Sequence, residues 1–160
     1  MRINEIITPA PEVIRPDAVL VDAAQKMKSL DVGMLPVCDG DRLVGMITDR
    51  DITVRAVAGG DDPRTTRVQK VMTPEVIYCF DDADVKDVAR QMEENQVRRL
   101  PVLNRDKRLV GIVSLGDLAV RMGREKLAGE VLERVSEPAR DRTKLQSSHE
   151  GTRTNQMARR

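Results

Sequence analysis

Gly45-Met-Ile-Thr-Asp-Arg-Asp51 and Gly111-Ile-Val-Ser-Leu-Gly-Asp117 are two copies of one motif: a glycine, two apolar residues, a hydroxyl residue, and an aspartate three positions later. Each copy follows an aliphatic run and precedes an amphipathic stretch, which predicts a buried strand that turns directly into a helix. A helix start offers unpaired backbone N–H groups and the positive end of the helix dipole. The motif therefore suits hydroxyl-rich or anionic ligands.

The same motif has a purely structural interpretation. A hydroxyl residue followed three positions later by an acid, before an apolar run, is typical of a capping box that closes the start of a helix. Its occurrence at matching positions of two repeats favours a ligand site without removing the capping role. Both interpretations stay open, because the same groups can serve both.

An internal repeat covers most of the chain. Thr8-Pro9 recurs 65 residues later as Thr73-Pro74, and at Gly45 and Gly111 the offset becomes 66. The extra residue lies in a polar turn, which a hairpin loop tolerates. The repeat therefore predicts two halves of similar fold.

Each repeat contains the same order of elements, β-α-β-β-α, and the fold class is α/β (α+β). Asp17 is the expected N-cap of the first helix, and Asp81 or Asp82 that of its counterpart. The predicted elements are, in the first repeat, Val13-Ile14, a helix from Leu20 to Leu30, strands Met34 to Cys38 and Leu43 to Ile47, and a helix from Ile52 to Val57; and, in the second repeat, Val76-Ile77-Tyr78, a helix from Val85 to Met92, strands Leu100 to Leu103 and Leu109 to Val113, and a helix from Leu118 to Met122.

The predicted domain organisation has five parts. The two repeats occupy residues 1–60 and 68–123, and a polar linker, 61–67, joins them. Helical spacing of Leu127, Val131 and Val135 predicts an appended helix over 124–136, whose apolar stripe packs on its own module or on a partner. Residues 137–160 contain almost nothing apolar and are expected to be disordered.

Composition excludes several classes of function. The net charge is +1 and aromatic residues make up 1% of the chain, so neither an electrostatic field nor a stacking platform for nucleic acid is present. No apolar run approaches the roughly 20 residues of a membrane span, and no signal peptide precedes the repeat. We therefore predict a cytoplasmic protein without nucleic-acid or membrane partners.

Candidate catalytic groups are also few. The only histidine, His149, lies in the polar tail, so a histidine triad or a multi-histidine metal site is excluded. The sequence contains no nucleophile–base pair and no Walker-type glycine loop, so we predict no enzymatic activity. Cys38 and Cys79 lie in strand-like runs and are predicted to be buried reduced thiols rather than a disulfide or metal ligands.

With the repeat, the double motif and Val97-Arg-Arg-Leu-Pro-Val102, the chain resembles a tandem pair of CBS domains, also called a Bateman module. The resemblance covers roughly Ile3 to Arg121. It is similar to stand-alone bacterial CBS proteins of the hypoxic-response type, and to the regulatory CBS modules of IMP dehydrogenase and of the γ subunit of AMP-activated protein kinase. It implies a pseudo-twofold module with two clefts between the halves, and a homodimer formed through helix faces.

The resemblance also implies an adenosine-type ligand and assigns residues to it. AMP is the first choice, with ADP, ATP, NADH or S-adenosylmethionine as alternatives, and no catalytic cofactor or metal is required. A carboxylate accepts hydrogen bonds from both hydroxyls of a ribose diol, and the planar guanidinium of arginine suits phosphate. The expected assignments are Asp51 and Asp117 to ribose, Thr48 and Ser114 to ribose or phosphate, Arg98 and Arg99 to phosphate, and Met46, Ile112, Val13 and Ile77 to the adenine.

The two repeats are not equivalent in this respect. Where the second has Arg98 and Arg99, the first has Gly33 and Met34, although Arg50 inside the first motif is a candidate replacement. We therefore expect one good nucleotide site and one weaker or empty site. The alternative is a ligand-free module that acts through dimerisation and an unidentified protein partner, with the motifs serving only as caps.

Overall fold

The computed structural model describes residues 1–122 and 125–137, with no side-chain description from 121 to 128. It is a mixed α/β fold, as the sequence predicts. The elements are β1 (Thr8–Pro9), α1 (Leu20–Leu30), β2 (Met34–Asp39), β3 (Arg42–Thr48), α2 (Asp49–Asp51) continued by a π-helical segment (Ile52–Val57), α3 (Val68–Val71), β4 (Cys79–Phe80), α4 (Val85–Asn95), β5 (Arg99–Leu103), β6 (Leu109–Ser114), α5 (Leu115–Met122) and α6 (Glu125–Ser136).

The leading segment of each repeat pairs with the other repeat. β1 runs antiparallel to β6, with Thr8 opposite Ile112, in a sheet of order β1-β6-β5-β4. In the other sheet, β2 pairs with β3, and Thr73 forms an antiparallel bridge to Met46 of β3. Each structural half is therefore built from two separate pieces of the chain.

This exchange explains the glycine of the motif. A Cβ atom added to Gly111 would lie 2.9 Å from the carbonyl oxygen of Thr8, and one added to Gly45 would lie 2.9 Å from that of Thr73. Real Cβ atoms do not approach backbone oxygens so closely, so only glycine lets the crossing segment lie flat on the strand.

Each half has its own apolar core, closed by the crossing segment. Ile3 and Ile6 from the N-terminus are buried in the core of the second repeat, whereas Val68 and Val71 are buried in that of the first. The amide of Ile3 donates to the carbonyl of Ala83 at 3.0 Å, which anchors the N-terminal turn beside α4. The pseudo-twofold relation thus extends to how each core is completed.

α6 occupies the stretch for which helical spacing predicts the appended helix. Val131 and Val135 are buried in the core of the second repeat, so this part of the apolar stripe packs on its own module. Arg134 forms an ion pair with Glu93 of α4 at 3.4 Å. The side chain of Leu127 lies outside the described residues, as does the chain from residue 138 onward, which includes nearly all of the predicted tail.

The predicted first strand of the second repeat is wrong. The strand is Cys79–Phe80, whereas residues 76–78 belong to no strand. The repeat offset explains where the strand lies. Cys79 is 65 residues after Ile14, and each of these two residues pairs in parallel with the hairpin that follows it in its own repeat. Ile14 forms a single parallel bridge to Val37, and Cys79 lies opposite Val102.

The predicted helix caps are also wrong. α1 follows Val19, which makes no side-chain cap, and the carboxylate of Asp17 instead pairs with Arg15. α4 is capped by Asp84, whose carboxylate accepts from the amide of Lys86 at 2.9 Å. Asp81 is not the cap, and Asp82 pairs with Arg105. Both helices begin where predicted, at Leu20 and Val85, but their N-cap positions lie two or three residues after the predicted caps. The loop between holds the crossing segment, as where the amide of Val68 donates to the carbonyl of Ala18.

Both cysteines are buried free thiols, as predicted. Burial raises the pKa of Cys38 to about 11 and the pKa of Cys79 to about 12, because the apolar surroundings disfavour the thiolate. The thiol form therefore dominates at neutral pH, and reactivity is low.

Substituting Gly111 with Ala should lower the free energy of unfolding by about 1–3 kcal/mol, because the new methyl group displaces the backbone of β1. Urea denaturation measures the loss. Gly129→Ala is the matched control, since no atom of the described residues lies within 4 Å of a Cβ at that position of α6. There the same change should stabilise by about 0.5–1 kcal/mol. Equal effects at the two positions would contradict the steric explanation.

Native protein at pH 8 should react slowly with an aromatic disulfide reagent, whereas urea-unfolded protein should react at both thiols at once. Fast labelling of the folded chain at pH 8 would refute the burial of the thiols.

The raised pKa values of the two thiols also lead us to expect that stability depends on pH. Their folded-state pKa values lie above the ordinary value of 9.0, so their contribution to stability is complete below pH 9 and is lost as pH rises towards 11 to 12.

Candidate functional site

The first motif forms a complete capping box at the start of α2. The amide of Asp51 donates to Oγ1 of Thr48 at 3.0 Å, and the amide of Thr48 donates to Oδ2 of Asp51, also at 3.0 Å. The other carboxylate oxygen, Oδ1, lies 3.7 Å from a guanidinium nitrogen of Arg55. The Asp51 side chain is 15% exposed, so the box holds a carboxylate at a fixed place near the surface.

The second motif repeats this geometry at the start of α5. The amide of Ser114 donates to Oδ2 of Asp117 at 2.8 Å, and the amide of Asp117 donates to Oγ of Ser114 at 3.1 Å. The hydroxyl of Ser114 also donates to Oδ2 at 2.6 Å. The structural interpretation of the motif is therefore confirmed in both copies.

A cleft of about 380 Å³, the first cleft, lies between the motif of the first repeat and residues of the second. Thr48 and Asp51 form one side, and Arg98 and Arg99 border it from the other repeat. The remaining lining residues are Met34, Met46, Thr73, Glu75, Val76, Ile77, Val97, Leu100 and Pro101. The crossing of the halves thus brings the first motif to the double arginine.

The second cleft, of about 300 Å³, is the pseudo-symmetric counterpart. Here Ser114 and Asp117 face residues of the first repeat. The other lining residues are Thr8, Asp31, Val32, Gly33, Met34, Arg99 and Ile112. Arg99 and Met34, which are equivalent in the repeat, border both clefts and so lie between them.

The clefts differ in charge. The first cleft is lined by two arginines and by the carboxylates of Asp51 and Glu75. Among the described residues that line the second cleft, the charged ones are Asp31, Asp117 and Arg99. An anionic ligand therefore meets a more favourable potential in the first cleft.

Most of the predicted site residues line one cleft or the other. The first cleft brings together Thr48, Asp51, Met46, Ile77, Arg98 and Arg99, and the second holds Ser114, Asp117 and Ile112. Two predicted residues lie apart. Arg50 is exposed and lines neither cleft, and Val13 lines neither, its carbonyl accepting from Lys26 at 2.7 Å.

Arg55 is a residue of the site that the sequence analysis missed. Its guanidinium donates to the carbonyl of Val71 at 2.9 Å and to the hydroxyl of Thr73 at 3.4 Å, and it lies near Asp51. It thereby ties the motif to the segment that crosses from the other repeat. The available signal was its position four residues after Asp51, the spacing of an ion pair on a helix.

Thr73 and Thr8 were also missed as lining residues. They are equivalent in the repeat, and each lines the cleft of the half to which its segment crosses. The repeated Thr-Pro pair was the signal in the sequence. Its meaning depended on knowing that the leading segments exchange, which spacing alone does not reveal.

Two further features concern the described part of the chain. In these residues no group of three or more His, Cys, Asp or Glu side chains is arranged to hold a metal ion. None of the described helices combines the length and apolar character needed to cross a bilayer.

Comparison with known families gives a match over most of the chain. The family is described as the CBS domain, and its model matches residues 3–57 and 68–123. The chain is similar to the CBS domain-containing protein YhcV of Bacillus subtilis, with 37% identity over 84% of this chain and 94% of YhcV. It is also similar to hypoxic response protein 1 of Mycobacterium tuberculosis, with 45% identity over 62% of this chain and 70% of that protein.

Solved structures with the same fold include complexes with adenosine compounds. CBSX2 in complex with AMP has a TM-score of 0.66 at 27% identity, covering 78% of this chain and 98% of that one. The CBS domain pair of MJ0100, in complex with 5′-methylthioadenosine and S-adenosyl-L-methionine, has a TM-score of 0.68 at 28% identity, covering 79% and 98%. The resemblance predicted from the sequence is confirmed.

Replacing Thr48 with Ala should lower the free energy of unfolding by about 1 kcal/mol, because the amide of Asp51 loses its acceptor. Thr48→Ser is the matched control. It keeps the hydroxyl and reproduces the residue found in the second motif, so its stability should stay close to that of the wild type. Urea denaturation compares the two variants, and a loss as large for Ser as for Ala would exclude capping as the cause.

Proposed function

Because the chain belongs to the CBS domain family, with two such domains in tandem, we propose that it is a regulatory module that binds an adenine nucleotide in the first cleft. The observation that carries this proposal is the meeting of Asp51 with Arg98 and Arg99 in one cleft. A carboxylate and a double arginine in one cleft are complementary to a ribose and a phosphate. AMP is our first choice of ligand.

Asp51 can hold the ribose without giving up its cap. Oδ2 accepts one hydrogen bond, from the amide of Thr48, and a carboxylate oxygen has two lone pairs. Oδ1 has no partner closer than Arg55 at 3.7 Å within the described residues. The two ribose hydroxyls therefore find acceptors on a carboxylate that the helix start already fixes in place, which reduces the ordering cost of binding.

The adenine would lie against apolar side chains. Ile77, at 37% exposure, is a large hydrophobic residue that a bound ring would cover, and Met46 and Val76 line the same cleft. Val76 and Ile77 belong to no helix or strand, and their amides donate to no backbone carbonyl of the described chain. Such amides are suited to hydrogen bonds with the edge of a purine.

The phosphate would be bound by Arg98 and Arg99. Both side chains are exposed, and Arg98 makes one hydrogen bond, to the hydroxyl of Ser136 at 3.3 Å, which a phosphate can replace. A charge-assisted bond from guanidinium to phosphate is stronger than this neutral contact. We assign a binding role to these residues and no catalytic step to the chain.

A second candidate function is an interaction module that acts through dimerisation. Val54 and Val120 occupy equivalent positions on the last helix of each repeat, and they are 50% and 82% exposed. Exposed apolar side chains at matching places suit a twofold interface between copies of the chain. A regulatory module also requires a protein that responds to it, so both candidates leave room for a downstream partner.

Titration calorimetry with AMP tests the first proposal. The wild type should bind AMP, and Asp51→Ala should weaken binding by about 1.5–3 kcal/mol because the ribose loses a charged acceptor. Asp117→Ala is the matched control, as it removes the same group and the same cap from the second cleft. It should leave the tighter AMP site intact.

Three results would go against this assignment. Equal losses in the two variants would deny the first cleft its special role. Loss of AMP binding in Asp117→Ala alone would place the nucleotide in the second cleft. If AMP, ADP, ATP and NADH all failed to bind at millimolar concentration, and light scattering showed a dimer, the interaction module would be favoured.

A further inference from the structure

The two clefts differ most where each motif faces the opposite repeat. The offset of 65 residues makes these facing stretches directly comparable, because each immediately precedes or begins the first hairpin strand of its half. At three equivalent positions the first cleft is lined by Val97, Arg98 and Arg99, and the second by Val32, Gly33 and Met34. Asp31 also lines the second cleft, whereas its equivalent, Gln96, does not line the first.

The replacement of Arg98 by Gly33 has a second effect besides the loss of one cation. The space beside Gly33 is occupied by the carboxylate of Asp49, whose Oδ2 would lie 3.0 Å from a Cβ at residue 33. The residue equivalent to Asp49 is Leu115, whose amide donates to the carbonyl of Arg98 at 2.9 Å just as that of Asp49 donates to Gly33. Arg98, which lines the first cleft, therefore corresponds to Gly33 in the second cleft, a position that has no side chain and has the carboxylate of Asp49 beside it.

Arg99 does not compensate for this difference. It borders both clefts, and its equivalent, Met34, borders both as well. A phosphate in the second cleft would have this shared arginine as its one lining cation among the described residues. The carboxylates of Asp31 and Asp117 line the same cleft, and their negative charge disfavours an anion there.

The second cleft nevertheless keeps the features that suit a ribose. Ser114 and Asp117 form the same capping box as Thr48 and Asp51, with a half-buried carboxylate. Ile112 takes the place of Met46, and Thr8 takes the place of Thr73. The two clefts thus resemble each other around the ribose of an adenosine-type ligand and differ around its 5′ substituent.

We infer that the second cleft binds an adenosine-type ligand whose 5′ substituent carries no negative charge, such as a nucleoside or a thioether nucleoside. This inference rests on the proposed function, since it takes the Asp117 motif to be a ribose site like that of Asp51. It makes the chain a module that senses two different adenosine compounds. The first cleft responds to a nucleotide, and the second responds to a nucleoside.

Calorimetry on variants of the full chain can measure ligand binding to each cleft separately. In Asp51→Ala, which weakens the first cleft, adenosine and 5′-methylthioadenosine should bind at least as tightly as AMP. In Asp117→Ala, AMP should bind roughly tenfold more tightly than adenosine, since a charge-assisted bond contributes about this factor. Thermal unfolding checks that both variants are folded at the temperature of the titration.

The results distinguish this inference from the proposed function. A tenfold preference for AMP in Asp51→Ala, or the absence of any nucleoside binding there, would overturn the inference while AMP binding in Asp117→Ala preserved the proposed function. Absence of AMP binding in Asp117→Ala would instead overturn the proposed function. Nucleoside binding in Asp51→Ala that survives the added change Asp117→Ala would place the ligand elsewhere and overturn the inference.

A charge exchange gives an independent test. The double variant Gly33→Arg/Asp49→Asn, made in the Asp51→Ala background, supplies the missing cation and removes the opposing carboxylate. AMP affinity there should rise about tenfold, with adenosine affinity unchanged. The single change Asp49→Asn, which needs no room for a new side chain, should raise AMP affinity by a smaller factor. If neither variant improves AMP binding, charge does not set the selectivity.

Discussion

The structure depends on the close approach of two crossing segments to two glycines. The backbone of Thr8 lies on Gly111 and that of Thr73 lies on Gly45, so closely that neither glycine position has room for a side chain. This contact completes each sheet with residues from the other repeat. It also places Thr73 in the first cleft and Thr8 in the second, so the clefts exist only because the halves are joined in this way.

The capping role of the motif residues is compatible with the ligand-binding role proposed for them. In both copies the hydroxyl residue and the aspartate close the start of a helix, and this use occupies only part of the hydrogen-bonding capacity of the carboxylate. Capping fixes the carboxylate before any ligand arrives. The facing stretch of the other repeat differs between the clefts, with Arg98 in the first and Gly33 in the second. If both clefts bind ligands as proposed, one repeated framework would hold the ribose and the facing stretch would select the charge of the ligand.

Much of the fold could be predicted from the sequence because the repeat and the motif are local signals. The apolar positions of α4, Val85 to Met92, are buried as helical spacing indicates. The strand predicted at Val76-Ile77-Tyr78 failed because an apolar run does not reveal its partner, and pairing with β5 places the strand at Cys79–Phe80 instead. The caps failed for a related reason, since the loops before α1 and α4 are shaped by the segments that cross from the other repeat.

The site was predicted less completely than the fold. Both motifs and both arginines could be named, but which motif faces the arginines depends on how the halves cross, and this is a tertiary property. Its place inside the first motif makes Arg50 a candidate for phosphate binding, yet its side chain lines neither cleft. Arg55, one helical turn later, is the residue that joins the motif to Thr73.

The exchange of leading segments has a consequence for how the chain folds during synthesis. The segment around β1 finds its partner only when β6 has been made, so it is synthesised before the rest of the repeat region and is among the last parts of that region to be paired. The first half needs only residues up to Thr73 and can close earlier. Contacts between Thr8 and Ile112 span most of the repeat region, and closing such a long loop is slow compared with forming the hairpins. Until then Ile3 and Ile6 lack the core in which they are buried, and the nascent chain carries an unpaired apolar segment.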